Sequence, residues 1–329
     1  MRKLILPFSL VLIIVICSSW GFLVHRTVHQ LAVYELPGEL QRFFYRNMDI
    51  GVRHSVRPDL RRNEDPTESS KHYINFEAFG DSAAWKMPFS WEHAADIYNE
   101  DSLRKHGYVP YHVEVMKEKL TEAFRSGNAD SVMFYATDLA HYIGDAHVPL
   151  HTTLNYDGQL TGQKGMHSLW ESMIPELEIA NYRLTSKHKA KYIDNTRKAI
   201  WAAVRESYNL VNELLEKERE VSKSFTDSTK YRVQVRNGRE SRSYTTAFAK
   251  AYSQAVGSSI NERLIASADM IADFWYTCWV DAGKPDVSKW ISPAFKRADR
   301  RKLRKELRNF RKDRLLRNGL LISKQKTQN

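Results

Sequence analysis

The sequence predicts an all-α protein, a single multi-helix domain followed by a basic C-terminal tail. Three observations carry that expectation. Apolar residues recur at three-to-four residue spacing along most of the chain. Alternating strand-like patterns are scarce. Histidine and carboxylate residues recur four apart, the interval that puts two side chains on one helix face. The 329 residues include 16 Tyr, 14 Phe and 8 Trp, enough for a large core.

The elements follow in order. Arg2 and Lys3 precede an apolar stretch, Leu4 to Cys17, and then Cys17-Ser18-Ser19, a small-residue cleavage site. This reads as a signal peptide over 1–19, too short to span a bilayer. Cleavage makes Trp20 the first residue of a protein exported to the periplasm or the extracellular medium. A helical domain is expected over 20–295. His25 to Glu35 reads as its first helix. Tyr111 to Arg125 is another, stopped by Ser126-Gly127. Asp130 to His147 follows, with Met133, Ala136, Leu139, Ala140 and Ile143 near one face and Pro149 just past its end. The Gly-rich stretch from Thr152 to Met166 is long for a connection between helices, and such loops are often functional. Helices are expected over His167–Ala180, Ala190–Glu218 and Thr245–Ala282. Lys230 to Tyr244 is polar and reads as a loop or a short hairpin.

Charge is unevenly placed. Residues 296–329 hold 14 Lys/Arg against Asp299, Glu306 and Asp313, an excess equal to the net charge of +11. The preceding residues carry equal numbers of acids and bases, so the high pI describes the tail and not the active site. Leu303, Leu307 and Phe310 form a narrow apolar stripe there. A basic amphipathic helix and a disordered solubilising tail are both consistent with it. Cys17 leaves with the signal and Cys278 has no partner, so no internal disulfide is expected.

The chemistry concentrates in two segments. In His141-Tyr-Ile-Gly-Asp145-Ala-His-Val-Pro-Leu-His151, His141 and Asp145 share a helix face, and Pro149 ends the helix so that His151 returns from another direction. In His167-Ser-Leu-Trp-Glu171 an imidazole and a carboxylate again lie four apart. One such pair is usually a solvated helix face. Two pairs with His151 between them make a metal site inside a helix bundle the better reading, and zinc takes both ligand types. The terminal amine and carbonyl of Trp20 can chelate a metal with His25 nearby. Asp59 and His72 add another carboxylate and imidazole. His29, His54 and His147 are assigned to packing or to bonds behind the metal ligands.

These residues, in order, resemble the ligand set of the superfamily that contains the zinc-dependent phospholipases C and the single-strand-specific nucleases. The resemblance covers roughly Trp20 to Trp279. It implies three Zn2+ ions. One would be held by Asp59, His72, His141 and Asp145. A second would take the Trp20 amine and carbonyl, His25 and Asp145, which then bridges the pair. The third would sit on His151, His167 and Glu171. It also implies hydrolysis of a phosphodiester by a zinc-activated water attacking phosphorus, with Asp59 and Asp145 as the catalytic carboxylates.

The residues divide over which phosphodiester. Glu171 as the last ligand resembles the bacterial phospholipase. The short interval from Trp20 to His25 resembles the nucleases, and Leu23 stands where a choline-type phospholipase has an acid. Tyr73 offers an aromatic face to an ammonium headgroup or to a nucleobase. Tyr73 and Asn155 are the expected substrate contacts. The sequence leans slightly to a phospholipase C-like hydrolase, with a single-strand-preferring nuclease as the alternative. A non-catalytic, zinc-stabilised binding protein is the reading from another class. The tail is expected to meet an anionic membrane or another polyanion, and no protein partner is predicted.

Overall fold

A computed structural model describes residues 21–236 and 239–325. The expected signal peptide and Trp20 lie outside these residues. The described chain is helical, 67% of it, with one two-stranded sheet. No helix among the described residues is long and apolar enough to cross a membrane.

The helix Phe22–Glu35 runs through the centre of the fold, nearly every residue buried. It packs against Ser259–Asp281 and touches Ala129–Ala146. Val109–Ser126 and Ala129–Ala146 form an antiparallel pair. The Asn128 side chain between them accepts from Ser131 N at 2.9 Å, satisfying a free amide at the second helix's start. Thr196–Ser222 covers the other side of this pair. Large aromatics fill the centre. Trp275 stacks on Phe44 with ring centroids 4.5 Å apart and donates its indole N–H to Ala136 O at 2.9 Å.

Several boundaries differ from the sequence expectation, each for a local reason. The apolar pattern over Thr245–Ala282 forms two helices, Thr246–Val256 and Ser259–Asp281. Gly257 breaks it with φ +58°, a conformation that favours glycine. Helix Thr196–Ser222 starts six residues later than the pattern suggested. Ala190 to Ile193 instead runs extended, its amides bonded to Glu35 O, Asp273 Oδ1 and Thr277 Oγ1. The polar stretch forms a hairpin, Tyr231–Arg236 paired with Arg239–Tyr244. Residues 38–106 hold several short helices, such as Gly38–Arg46 and Trp91–Tyr98, too brief for their periodicity to stand out.

The C-terminal segment forms the helix Arg297–Arg311, docked on the body. Leu303 and Phe310 are buried, each contributing roughly 1.5–3 kcal/mol of burial. Glu306 accepts the hydroxyls of Tyr34 at 3.0 Å and Tyr45 at 2.8 Å. Beyond it, Gln30 bonds Leu320 O and Ile322 N, and Thr27 meets Ser323 at 2.8 Å.

Candidate metal centre

Helix Ala129–Ala146 presents His141 and Asp145 one turn apart, both fully buried. The helix stops at His147, and a 3-10 turn beginning at Pro149 brings His151 back beside it. The opposite wall comes from residues 55–72. Asp59 stands on the short helix Arg57–Arg61 and His72 at the end of a 3-10 turn. His25 projects from the first turns of the N-terminal helix. His167 and Glu171 come from the segment after the Gly-rich loop. There a π-type turn over Leu169–Met173 widens the helix at Glu171, a distortion common at functional sites.

These residues assemble into three groups whose ligand atoms lie within 4.8 Å of one another: His25, His141 and Asp145; Asp59, His72 and His141; His151, His167 and Glu171. Asp145 stands between the groups. Its Oδ2 is 2.8 Å from His72 Nδ1 and 3.3 Å from His141 Nε2, while Oδ1 is 3.5 Å from both His25 Nε2 and His151 Nδ1. The third group is tighter, with His167 Nε2 2.9 Å from Glu171 Oε1.

Two imidazoles are oriented by backbone carbonyls. His141 Nδ1 lies 2.7 Å from Ser55 O and His151 Nδ1 lies 3.0 Å from His72 O. Donation through Nδ1 leaves Nε2 with its lone pair facing the site, the tautomer a metal requires. The loop before His167 is tied down by Asp157, whose Oδ1 accepts from Gly165 N at 3.0 Å and His167 N at 3.3 Å. The root of the hairpin supports the same loop. Gln163 donates to Glu218 and to Leu215 O, and the Tyr244 hydroxyl lies 2.8 Å from Glu218.

The electrostatics fit a cationic occupant. Burial alone would raise the Asp145 carboxyl, but His141 and His72 outweigh it and hold it well below the ordinary range. Asp59 is lowered against burial by His141 and by the Arg62 guanidinium that pairs with it. Glu171 is lowered against burial by His167 and His151. His25 is pushed down by burial and by His141. Among the described residues, Asp145 Oδ1 and both Glu171 oxygens are buried and face imidazoles rather than amide, hydroxyl, Lys or Arg donors. Buried carboxylates so placed are costly unless a cation meets them. Zinc, which accepts carboxylate oxygen and imidazole nitrogen, suits this donor set.

Sequence reasoning missed the layer behind the ligands. Glu68, fully buried, places Oε1 3.5 Å from His72 Nε2 and is held by Lys71 at 2.7 Å, Arg61 and the Tyr142 hydroxyl. Its position four residues before His72 was a readable signal. Asp138 pairs with both Arg57 and Arg61. His29 and His147 are buried outside all three groups, His29 edge-on to Trp275 and His147 bonded to Ile143 O, while His54 is exposed.

The expected substrate contacts differ in kind. Tyr73 is half-buried beside the site. The Asn155 side chain is spent inside its own loop, donating to Thr161 Oγ1 at 3.0 Å and accepting from Leu160 N at 2.8 Å. The residue after it, Tyr156, is 52% exposed, with its ring 6.1 Å from that of His167.

The model of the S1/P1 nuclease family matches residues 20–273, which span all of these groups. No curated protein matches the chain. The chain belongs to the S1/P1 nuclease family, within the superfamily of zinc-dependent phospholipases C and nucleases, and is a zinc-dependent hydrolase of phosphodiester bonds.

Proposed function

We propose that this protein is an exported nuclease that cleaves single-stranded nucleic acid. The observation that carries the choice of substrate is the aromatic rim of the His151–His167–Glu171 group. Tyr156 is 52% exposed with its ring edge-on to His167, and Tyr73, half-buried, directly follows the site residue His72. Exposed ring faces stack bases, at about 1–3 kcal/mol per base. A choline headgroup would also want a carboxylate. Asp157 and Glu77 are instead committed to loop donors, Gly165 N and Leu154 N among them, and Leu23 is buried. Glu171 in place of Asp favours the second reading, a phospholipase C-like hydrolase.

Three zinc ions are assigned to this chain. Asp59, His72, His141 and Asp145 would hold one. The Trp20 amine and carbonyl, His25 and Asp145 would hold another. His151, His167 and Glu171 would hold the third. Gly21 supports the role of the mature N-terminus, since its amide donates to Glu171 O at 3.1 Å. A Cβ there would meet Ser172 and Glu171 atoms at 3.0–3.2 Å, so this close approach suits glycine.

Zinc supplies Lewis acidity toward the phosphoryl oxygens and brings the pKa of water near neutrality. The protein's own part is positional. Asp145 offers its two oxygens to different groups. Asp59 stays anionic against burial under His141 and Arg62, so its carboxylate would be available to the metal. Ser55 O and the His72 carbonyl fix the rings of His141 and His151, so the site needs no rearrangement as charge develops on phosphate.

The test is hydrolysis by protein beginning at Trp20. Single-stranded DNA, RNA and phosphatidylcholine vesicles would be compared with and without a zinc chelator. Chelator-sensitive nucleotide release is expected. Chelator-sensitive diacylglycerol release without nucleotide release would replace this reading with the phospholipase.

A further inference from the structure

We propose that the docked C-terminal helix Arg297–Arg311 is a fixed cationic exosite that binds the phosphate backbone of a single-stranded nucleic acid. The inference rests on the nuclease reading only for the identity of the polymer.

At 100° per residue, Arg297, Arg300, Arg301, Arg304, Arg308 and Arg311 fall on one stripe of the helix. All six are exposed. Leu303, Glu306 and Phe310 fall on the opposite side, and all three are buried against the body. Among the described residues, none of the six arginines makes an ion pair with an acidic side chain. The stripe is therefore an unneutralised ridge, about 22 Å long at 1.5 Å per residue.

The manner of docking separates the possible partners. A membrane-surface helix needs its apolar face for the lipid. Here that face is consumed, with Phe310 5.3 Å from the Tyr34 ring and Glu306 bonded by two tyrosine hydroxyls. What remains outward is charge alone, in the planar guanidinium form that pairs with phosphate oxygens. A disordered tail would spread its charge. This one is pinned at its start by Arg46 on Asp299 at 2.8 Å and past its end by Asp313 accepting from Leu184 N at 2.8 Å.

The ridge is separate from the metal centre. It is anchored through Thr27, Gln30 and Tyr34, which lie on the face of the N-terminal helix opposite His25. It also lies beyond the residues matched by the family. Its role is thus to hold a long strand and raise its local concentration, leaving the bond-breaking step unchanged.

The test substitutes Arg300, Arg301, Arg304 and Arg308 together by Gln in the full mature protein. The control substitutes the exposed Lys187, Lys189, Lys198 and Lys223 in the same way. Binding is read by anisotropy of a dye-labelled, cleavage-resistant phosphorothioate oligonucleotide across a salt series. Turnover is read on a chromogenic small phosphodiester. The arginine variant is expected to lower the slope of log K against log salt by about 3, from about 0.7 per lost phosphate contact. With the two lines converging near 1 M salt, it should bind on the order of a thousandfold more weakly at about 0.1 M, with unchanged turnover of the small diester. An unchanged slope, an equal change in the lysine control, or a loss of binding to anionic vesicles with no loss on the oligonucleotide would each overturn the exosite. If the wild type releases no nucleotide yet the arginine variant still loses oligonucleotide binding, the nuclease reading falls and the exosite stands.

Discussion

His72 Nδ1 lies 2.8 Å from Asp145 Oδ2, joining residues 73 positions apart at the centre of the site. The other oxygen of the same carboxylate faces His25. Asp145 is therefore the point at which two ligand groups meet. Asp145→Asn keeps the shape and removes the anionic charge. It is expected to lower turnover more than a hundredfold, beyond what loss of an outer partner costs, and to lower zinc content by at least one ion per chain by atomic emission. Wild-type turnover at full zinc content would rule out a shared carboxylate.

Glu68 acts through His72. Its carboxylate sits behind the ring at 3.5 Å, fixed by Arg61, Lys71 and Tyr142. Glu68→Gln should weaken zinc retention in chelator competition by about 10–100-fold, the usual cost of losing such a partner. Glu68→Asp should recover part of it. Unaltered zinc affinity in the Gln variant would limit Glu68 to a structural role.

The mature amine is expected to be a ligand. Protein carrying one extra residue ahead of Trp20 should retain fewer zinc ions in native mass spectrometry and turn over more slowly. Equal zinc occupancy in both forms would remove the amine from the ligand set.

Chelation should also destabilise the fold. Asp59, Asp145 and Glu171 are buried together with His25, His72, His141 and His151, and Cys278 is a free, buried thiol. Metal binding here contributes directly to folding free energy. Zinc removal should lower Tm by several degrees in scanning fluorimetry, whereas a reducing agent should leave it unchanged. An unchanged Tm after zinc removal would contradict the assignment of these residues as ligands.

Glu35 gives a pH signature away from the metals. It is buried against Asp269, with Asp273, His188 and the Lys191 amide packed on the same side. Burial first, then Asp269, pushes its carboxyl up to about 10. Between the ordinary value and about 10, the folded chain holds a proton that the unfolded chain has released. Its contribution to stability is full below the ordinary carboxylate pKa and is lost as pH rises toward 10. Glu35→Gln should therefore flatten the alkaline fall of Tm and leave Tm near pH 4 little changed. Parallel Tm–pH curves for the two proteins would refute the raised carboxyl.

Much of the fold was legible because helical periodicity is local. The pair His141 and Asp145, the pair His167 and Glu171, and the turn at Pro149 could be read from spacing alone. The family resemblance supplied the order of the remaining residues. What escaped depends on distance in sequence. Glu306 is one turn among many until Tyr34 and Tyr45, more than 260 positions away, cap it. The pattern through Gly257 kept its apolar spacing while the backbone turned. Asn155 had the side chain of a substrate contact, but its loop takes up those bonds internally. The exposed Tyr156 beside it gave no periodic signal.

The bonds from Thr27 to Ser323 and from Gln30 to Leu320 and Ile322 bear on the order of assembly. Contacts separated by about 290 positions cannot form until the ribosome has passed residues 320–323. The helix that carries His25 is consolidated from behind by residues synthesised about 290 positions after it. Nascent chains shorter than about 320 residues thus lack this brace, and the metal centre is completed late, after the neighbouring helix hairpin of His141 has already closed by local contacts.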